Sequence, residues 1–192
     1  RDHHRFSDTE EDIHSPKKGF WWSHVGWILA RRYHATAFDK IKDFTKFPEL
    51  VWLDRFHLVP TVAYGVAWYL IGGWTAVFWC HFVSTVLLWH GTFLVNSLSH
   101  VWGTRRYETT DTSRNNLWIA LVTSGEGWHN NHHHHLSSAN QGFFWWEVDP
   151  SFYVIKVWEK LGLVWDVKMA PAKVVGDTIA ARERAVEVKL AA

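Results

Sequence analysis

Fourteen of the 192 residues are histidine, and several fall at spacings that can hold a metal ion. In His129-Asn130-Asn131-His132-His133 the imidazoles stand at i, i+3 and i+4. On a helix these positions share one face, so the three rings converge. Asn96 and His100 form a similar i, i+4 pair, and His3-His4 adds two imidazoles at the start of the chain. Neutral imidazole nitrogen suits zinc, copper and iron. Cys80 is the lone cysteine, so no thiolate set competes with the histidines. Ligands drawn from separate segments point to more than one metal ion or to a high-coordination site. The run His132 to His135 has the look of an affinity tag, but it is internal and short. His81 and His90 stand nine apart and do not share a helix face as a haem-ligating pair. His14, His24, His34 and His57 are isolated. They read as residues that support a site from behind, sit at an interface or lie on the surface.

The elements that must position these residues follow from where the charges are not. From Phe56 to Thr104 there are 49 residues without one Asp, Glu, Lys or Arg. One helical crossing of a bilayer takes about 20 residues, so the run suffices for two. Gly72-Gly73 breaks it in the middle. Leu58–Ile71 is expected as most of one helix and Trp74 to about Leu98 as the next, together a transmembrane hairpin. The competing reading is a buried hairpin in a soluble core, for which a charge-free run of this length is unusual. Equal numbers of Lys and Arg lie before and after the hairpin, and none lies at its turn. By the positive-inside rule both flanks, and with them the histidines, are expected on the cytoplasmic face.

The rest of the chain divides around that hairpin. Residues 1–55 are expected as a cytoplasmic and interfacial segment, with Phe20, Trp21, Trp22 and Trp27 at the bilayer surface. The hairpin occupies 56–104. Residues 105–168 form a second cytoplasmic segment whose aromatic stretch 143–165 is again interfacial, and 169–192 is a polar tail. Asp177 is placed to cap a short helix running to about Leu190. All of this belongs to one all-α domain.

Composition removes several function classes. A formal charge of +1 excludes a strongly basic nucleic-acid binder, and 47% hydrophobic residues exclude a disordered chain. A single cysteine excludes a disulfide framework, a cysteine zinc finger and an iron–sulfur cluster. Fifteen tryptophans fit rings at a membrane interface.

Taken together, the motifs resemble the membrane fatty-acyl desaturases of the delta-9, acyl-CoA type. Arg1-Asp2-His3-His4-Arg5-Phe6-Ser7 is similar to that family's second histidine box, H-R-x-H-H, with the leading His one residue before Arg1. Gly19-Phe20-Trp21-Trp22-Ser23-His24-Val25-Gly26-Trp27 matches it closely. Asn96-Ser97-Leu98-Ser99-His100 looks like its N-S-x-x-H element. Gly125-Glu126-Gly127-Trp128-His129-Asn130-Asn131-His132-His133 looks like its third box. The similarity runs from Arg1 to about Lys168. The chain begins with Arg1 rather than Met, so it is expected to be the later part of a longer protein. The first box, H-x-x-x-x-H, and two further helices are then expected upstream, and the chain by itself is expected to be inactive.

The resemblance implies a fold of four transmembrane helices under a cytoplasmic helical cap that holds two iron ions. It implies that His3, His4, His100, His129, His132 and His133 are metal ligands, with Asn96 acting through a bound water. It implies that Arg31 and Arg32 contact the phosphates of an acyl-CoA, and that Thr92 and Phe93 line the bend of the acyl path. Asp8, Asp12 and Glu126 are candidates to orient imidazoles through their second ring nitrogen. His134 and His135 fall outside the motif and are taken as non-ligands.

The chemistry so implied is O2-dependent desaturation: a cis double bond, at delta-9, in a saturated acyl chain. An unactivated methylene has no acidic proton, so no side chain can remove its hydrogens and a cofactor must. The substrate would be an acyl-CoA or an acyl lipid. Electrons would come from a ferredoxin or a cytochrome b5-like donor with its reductase, since the chain has no Gly-rich nucleotide fingerprint and no haem motif. Two alternatives stay open: a related di-iron membrane hydroxylase or ketolase, and a non-catalytic metal- or lipid-binding membrane protein.

Overall fold

The computed structural model describes residues 2–181 together with 183, 184 and 187. Among the described residues the ordered elements are helices and helical turns. The only strand-like features there are two isolated bridges, Thr104 to Asn115 and Asn115 to Trp128. The chain falls into two compact units, residues 1–25 with 91–192 and residues 26–90.

The second unit holds a short helix, Pro48–Arg55, and most of the apolar run. Leu58–Ala76 is helical except at Gly72 and Gly73, where the backbone leaves the helix. Gly73 has φ 61° and ψ −156°, a conformation open essentially only to glycine. The chain reverses there. Tyr64 Oη donates to the Cys80 carbonyl at 3.3 Å, and its ring lies 5.3 Å from that of His81. A Cβ at Gly65 would make ordinary van der Waals contact with the His81 ring at 3.6 Å, so the two arms lie close together there. The returning arm passes through a π-helical turn, Val77–Val83, into the helix Ser84–Ser97 and a final 3-10 turn, Leu98–His100. The run Leu58–His100 is long and apolar enough to cross a membrane, and little of it is buried. Leu70, Ile71 and Trp74 at the reversal are each more than 70% exposed, apolar surface that water would penalise.

The first unit carries the histidines. Its N-terminal stretch begins with the helix Asp2–Phe6 and includes a π-helical turn, Trp22–Gly26, in which Ser23 and His24 are buried, while Trp21 just before it is exposed. Beyond His100 the chain runs through polar loops into a helix, Leu117–Val122, whose first turn is capped by the Asn116 side chain on Trp118 N and Ile119 N. The helix His129–His134 follows, then Pro150–Lys160, capped by Asp149 on Phe152 N at 3.0 Å. In the stretch 143–165, Trp145 is 89% exposed. The short helix Ala172–Gly176 ends at Asp177, whose N–H caps Val174 O. Of the expected helix from Asp177 to about Leu190, residues 179–181, 183, 184 and 187 are described and are helical, and the remainder beyond 181 lies outside the described residues.

Candidate metal centre

The second and third histidine motifs and His100 come from chain-distant segments, yet their imidazoles meet. Ligand atoms of His3, His100, His129 and His133 all lie within 4.8 Å of one another. His100 Nε2 stands 3.1 Å from His129 Nε2, and His132 Nε2 stands 3.2 Å from His4 Nε2. The His129 and His133 rings are 4.4 Å apart, and His4 and His133 are 5.4 Å apart. All six histidines expected as ligands therefore share one neighbourhood.

Buried carboxylates stand behind three of them. His100 Nδ1 lies 3.2 Å from Asp8 Oδ2, His3 Nδ1 lies 3.2 Å from Asp12 Oδ2, and His133 Nδ1 lies 2.7 Å from Asp111 Oδ2. A carboxylate accepts, so each Nδ1 carries the proton and each Nε2 keeps its lone pair. His3 Nε2 and His133 Nε2 are buried, as is His129 Nδ1, and none has a hydrogen-bond partner among the described residues. Buried polar atoms are ordinarily paired. The orphaned Nε2 lone pairs of His3 and His133, on rings each backed by a carboxylate, fit a bound cation of imidazole-preferring type.

The electrostatics agree. Burial, together with the neighbouring His133, His100 and His132, holds the pKa of His129 well below its ordinary value. Burial, with His133 and His4 beside it, lowers His132 to about 4. These imidazoles stay neutral at physiological pH, which is the ligating form. Burial alone would raise the pKa of Asp8. The hydrogen bonds from His100 and Thr112 outweigh it and hold the group below the usual carboxylate range. At Asp111 burial also works upward and is outweighed by the bonds from His133 and Ser113. Asp12 is lowered in the same way, burial being outweighed by His3 and the Asp8 N–H. Asp8 adopts φ 60°, uncommon for a residue with a side chain, and there its carboxylate reaches His100 and Thr112 N.

A helix of six residues cannot hold itself together in water, so His129–His134 must be fixed from outside. Asn130 and Asn131 are fully buried and do this. Asn130 Oδ1 accepts from Arg106 N and Tyr107 N at 2.8 and 2.7 Å, and its Nδ2 donates to Tyr107 O. Asn131 Oδ1 accepts from Asn115 Nδ2 at 2.7 Å, and its Nδ2 donates to Glu147 Oε2 at 2.9 Å. Asn115 Oδ1 accepts from Asn130 N and Asn131 N. Arg106 pairs with the buried Glu147 and lies over the Phe144 ring. The two glycines ahead of the helix are steric. A Cβ at Gly127 would fall 2.0 Å from Ala120 N, and one at Gly125 would fall 2.3 Å from Asp149 Oδ1.

The other expected site residues are placed as follows. Asn96 is half-buried on the last turn of the helix ending at Ser97, four residues before His100. Thr92 is exposed, and Phe93 is half-buried with its ring 5.6 Å from that of His24. Arg31 and Arg32 are exposed on a 3-10 turn, Arg32 lying over Tyr33. Glu126 is exposed and is not among the carboxylates that hold an imidazole. His134 stacks flat on Tyr107 at 4.1 Å and reaches Val174 O, and His135 meets Ser137. Both face away from the cluster.

One participant, Asp111, escaped the sequence reading, and another, His14, is among the isolated histidines whose role the sequence left open. Asp111 sits in a polar loop with no spacing that marks it. His14 is buried with its ring 4.0 Å from that of His3, above the shared Asp12. Its distance of two residues from Asp12 was the available signal.

Comparison with known proteins agrees with this geometry. The family model described as fatty acid desaturase matches residues 1–149. A sn-2 palmitoyl-lipid 9-desaturase of Nostoc sp. (strain 36) is 42% identical over 89% of this chain and 62% of its own length. A sn-1 stearoyl-lipid 9-desaturase of Anabaena variabilis is 41% identical over 90% of this chain and 64% of its own. An icosanoyl-CoA 5-desaturase of Limnanthes douglasii is 38% identical over 88% of this chain and 49% of its own. The chain thus spans between about half and two thirds of the length of these relatives. With the family model covering most of its residues, and those residues holding the imidazole cluster, the chain belongs to the fatty acid desaturase family.

Proposed function

We propose that the protein is an O2-dependent acyl desaturase that introduces a cis double bond, at position 9, into a saturated chain carried by a membrane lipid or by CoA. The observation that carries this is the convergence of His3, His100, His129 and His133, with three of the four rings backed by buried carboxylates. Two iron ions would be the fitting cofactor, which these four would hold together with His4 and His132, with Asn96 acting through a water. With O2 they supply the power to take hydrogen from an unactivated methylene.

The chain's own residues do the positioning. Asp8, Asp12 and Asp111 hold protons at the Nδ1 atoms of His100, His3 and His133, which keeps each Nε2 free to ligate. Asn130 and Asn131 fix the helix that carries His133 and brings two further imidazoles, those of His129 and His132. Thr92 and Phe93 are assigned to the bend of the acyl path, and the exposed Arg31 and Arg32 are suited to anionic headgroups or CoA phosphates. Glu126 is assigned an outer supporting role. Removing two hydrogens from the chain releases two electrons, and reducing O2 to two waters takes four. A separate donor, a ferredoxin or cytochrome b5-like protein, supplies the other two. The apolar run crosses the bilayer as a hairpin, with the metal centre on the cytoplasmic face.

The test is expression of the full-length protein in a host lacking its own desaturase, with mass spectrometry of the cellular fatty acids. A 9-monounsaturated product that disappears in His129→Ala supports the reading. Hydroxylated or oxo products would replace it with a hydroxylase or ketolase. No new product from iron-loaded protein with a working donor would leave a non-catalytic role.

A further inference from the structure

We infer that His24 is a specificity-determining positioning residue, which holds Phe93 as a fixed wall beside the acyl path and so governs where along the chain hydrogen is removed. The inference rests on the desaturase reading and goes beyond it.

His24 is 5% exposed, and its Nδ1 lies 2.9 Å from Ser97 Oγ, across 73 residues of chain. Ser97 is fully buried, and its hydroxyl lies 2.8 Å from the Phe93 carbonyl. A hydroxyl has one proton. It goes to the carbonyl, so the His24 Nδ1–H donates to Ser97 Oγ. The ring is held on its faces and edges as well. Phe20 stacks on it at 5.7 Å and 10°, and Phe93 meets it edge-on at 5.6 Å and 83°. Trp21 closes a further side at 5.9 Å. The hydrogen bond to Ser97 and the rings of Phe20, Trp21 and Phe93 together fix the orientation of the imidazole, which bears directly on the Phe93 ring.

The place of Phe93 gives that contact meaning. Phe93, Ser97 and His100 stand at i, i+4 and i+7, one face of a helical path that ends in a metal-cluster histidine. At about 1.5 Å per residue, Phe93 lies roughly 10 Å along the axis from His100. A saturated chain has no polar mark at the carbon that reacts. Its register against the metals is set by where walls guide or stop it. A one-methylene error in an apolar pocket is worth about 10–200-fold in rate, so a wall that shifts by the width of a methylene changes the product. Stability alone does not call for a histidine here. Exchanging both partners of a buried hydrogen bond for apolar groups of like shape is close to neutral. What an apolar pair would lose is the fixed orientation.

The experiment compares product isomers from the full-length protein and its variants in a host lacking desaturase, with bound metal measured on each purified protein. Unmutated protein is expected to give one dominant double-bond position. His24→Ala is expected to keep its metal and to raise neighbouring positional isomers or other chain lengths at least several-fold. His24→Asn, which restores a donor near Nδ1, is expected to recover part of the selectivity. A variant His24→Ala that is metal-loaded and active with an unchanged isomer distribution overturns this inference alone. If that variant does not accumulate, Ser97→Ala removes the acceptor with the imidazole in place, and an unchanged distribution there is equally decisive. Absence of any unsaturated product from the unmutated, metal-loaded protein overturns the desaturase reading and this inference with it.

Discussion

The Nδ1 of His133 lies 2.7 Å from Oδ2 of Asp111, and both side chains are almost wholly buried. The bond fixes the ring's rotation and leaves Nε2 bare. Replacing Asp111 with Asn keeps the shape but removes the charge that makes the ring a stronger donor to metal. Loss of such a supporting partner typically costs about 10–100-fold in metal affinity. Asp111→Asn is therefore expected to lose bound iron within that range, read by metal titration and by metal content after gel filtration. Full iron retention would contradict the assignment.

The depressed imidazoles make the metal-free protein acid-sensitive in a defined window. Burial, with the nearby His3, lowers His14 to about 4 from 6.5, and His132 falls to about 4 as well. A group whose folded pKa lies below its unfolded value binds more protons when unfolded, so stability rises with pH across the gap. The contribution is present above about 6.5 and is lost as pH falls towards 4. The low folded pKa values of Asp8 and Asp111 act lower still, beneath the ordinary carboxylate value of 3.8. The thermal midpoint of metal-free protein in detergent is expected to fall steadily from pH 6.5 to 4.5. His14→Phe together with His132→Phe should flatten that slope.

Asn130 is fully buried and satisfies two backbone N–H groups, those of Arg106 and Tyr107. Its loss leaves them without an acceptor, at about 1–3 kcal/mol for each orphaned group. Asn130→Ala is expected to lower stability by roughly that amount or more. The helix His129–His134 should lose amide protection before the rest of the unit, which hydrogen exchange would reveal. Uniform exchange across the unit would argue against the asparagine as its anchor.

Two glycines should fail for different reasons. At Gly73 a Cβ meets nothing within 4 Å, so Gly73→Ala carries only the strain of its backbone, about 1–3 kcal/mol. At Gly127 a Cβ would collide with the backbone of Ala120, so Gly127→Ala must displace one helix from another segment. Accumulated protein and thermal midpoint are expected to drop modestly for the first variant and severely for the second.

These examples mark what a sequence discloses. Metal ligation dictates residue type, and a shared helix face dictates spacing, so His129, His132 and His133 announce themselves. The reversal at Gly72–Gly73 is legible because few residues tolerate φ 61° with ψ −156°. Asp111 is not legible. A single carboxylate used once, from a loop, has no period to betray it. Asn130 and Asn131 hide inside the histidine motif, where their bonds to Arg106, Tyr107, Asn115 and Glu147 depend on tertiary placement alone.

Because the imidazoles come from distant stretches, the centre has a birth order. His3 and His4 leave the ribosome about 125 residues ahead of His129. At roughly 5–20 residues per second, that interval lasts on the order of 10 s. Over that time the early pair has no partners from the later helix. A metal ion can meet this set of imidazoles only after His133 has emerged, so loading would be a late event in the protein's life, and whichever transition ion is abundant at that moment gains the first claim on the site.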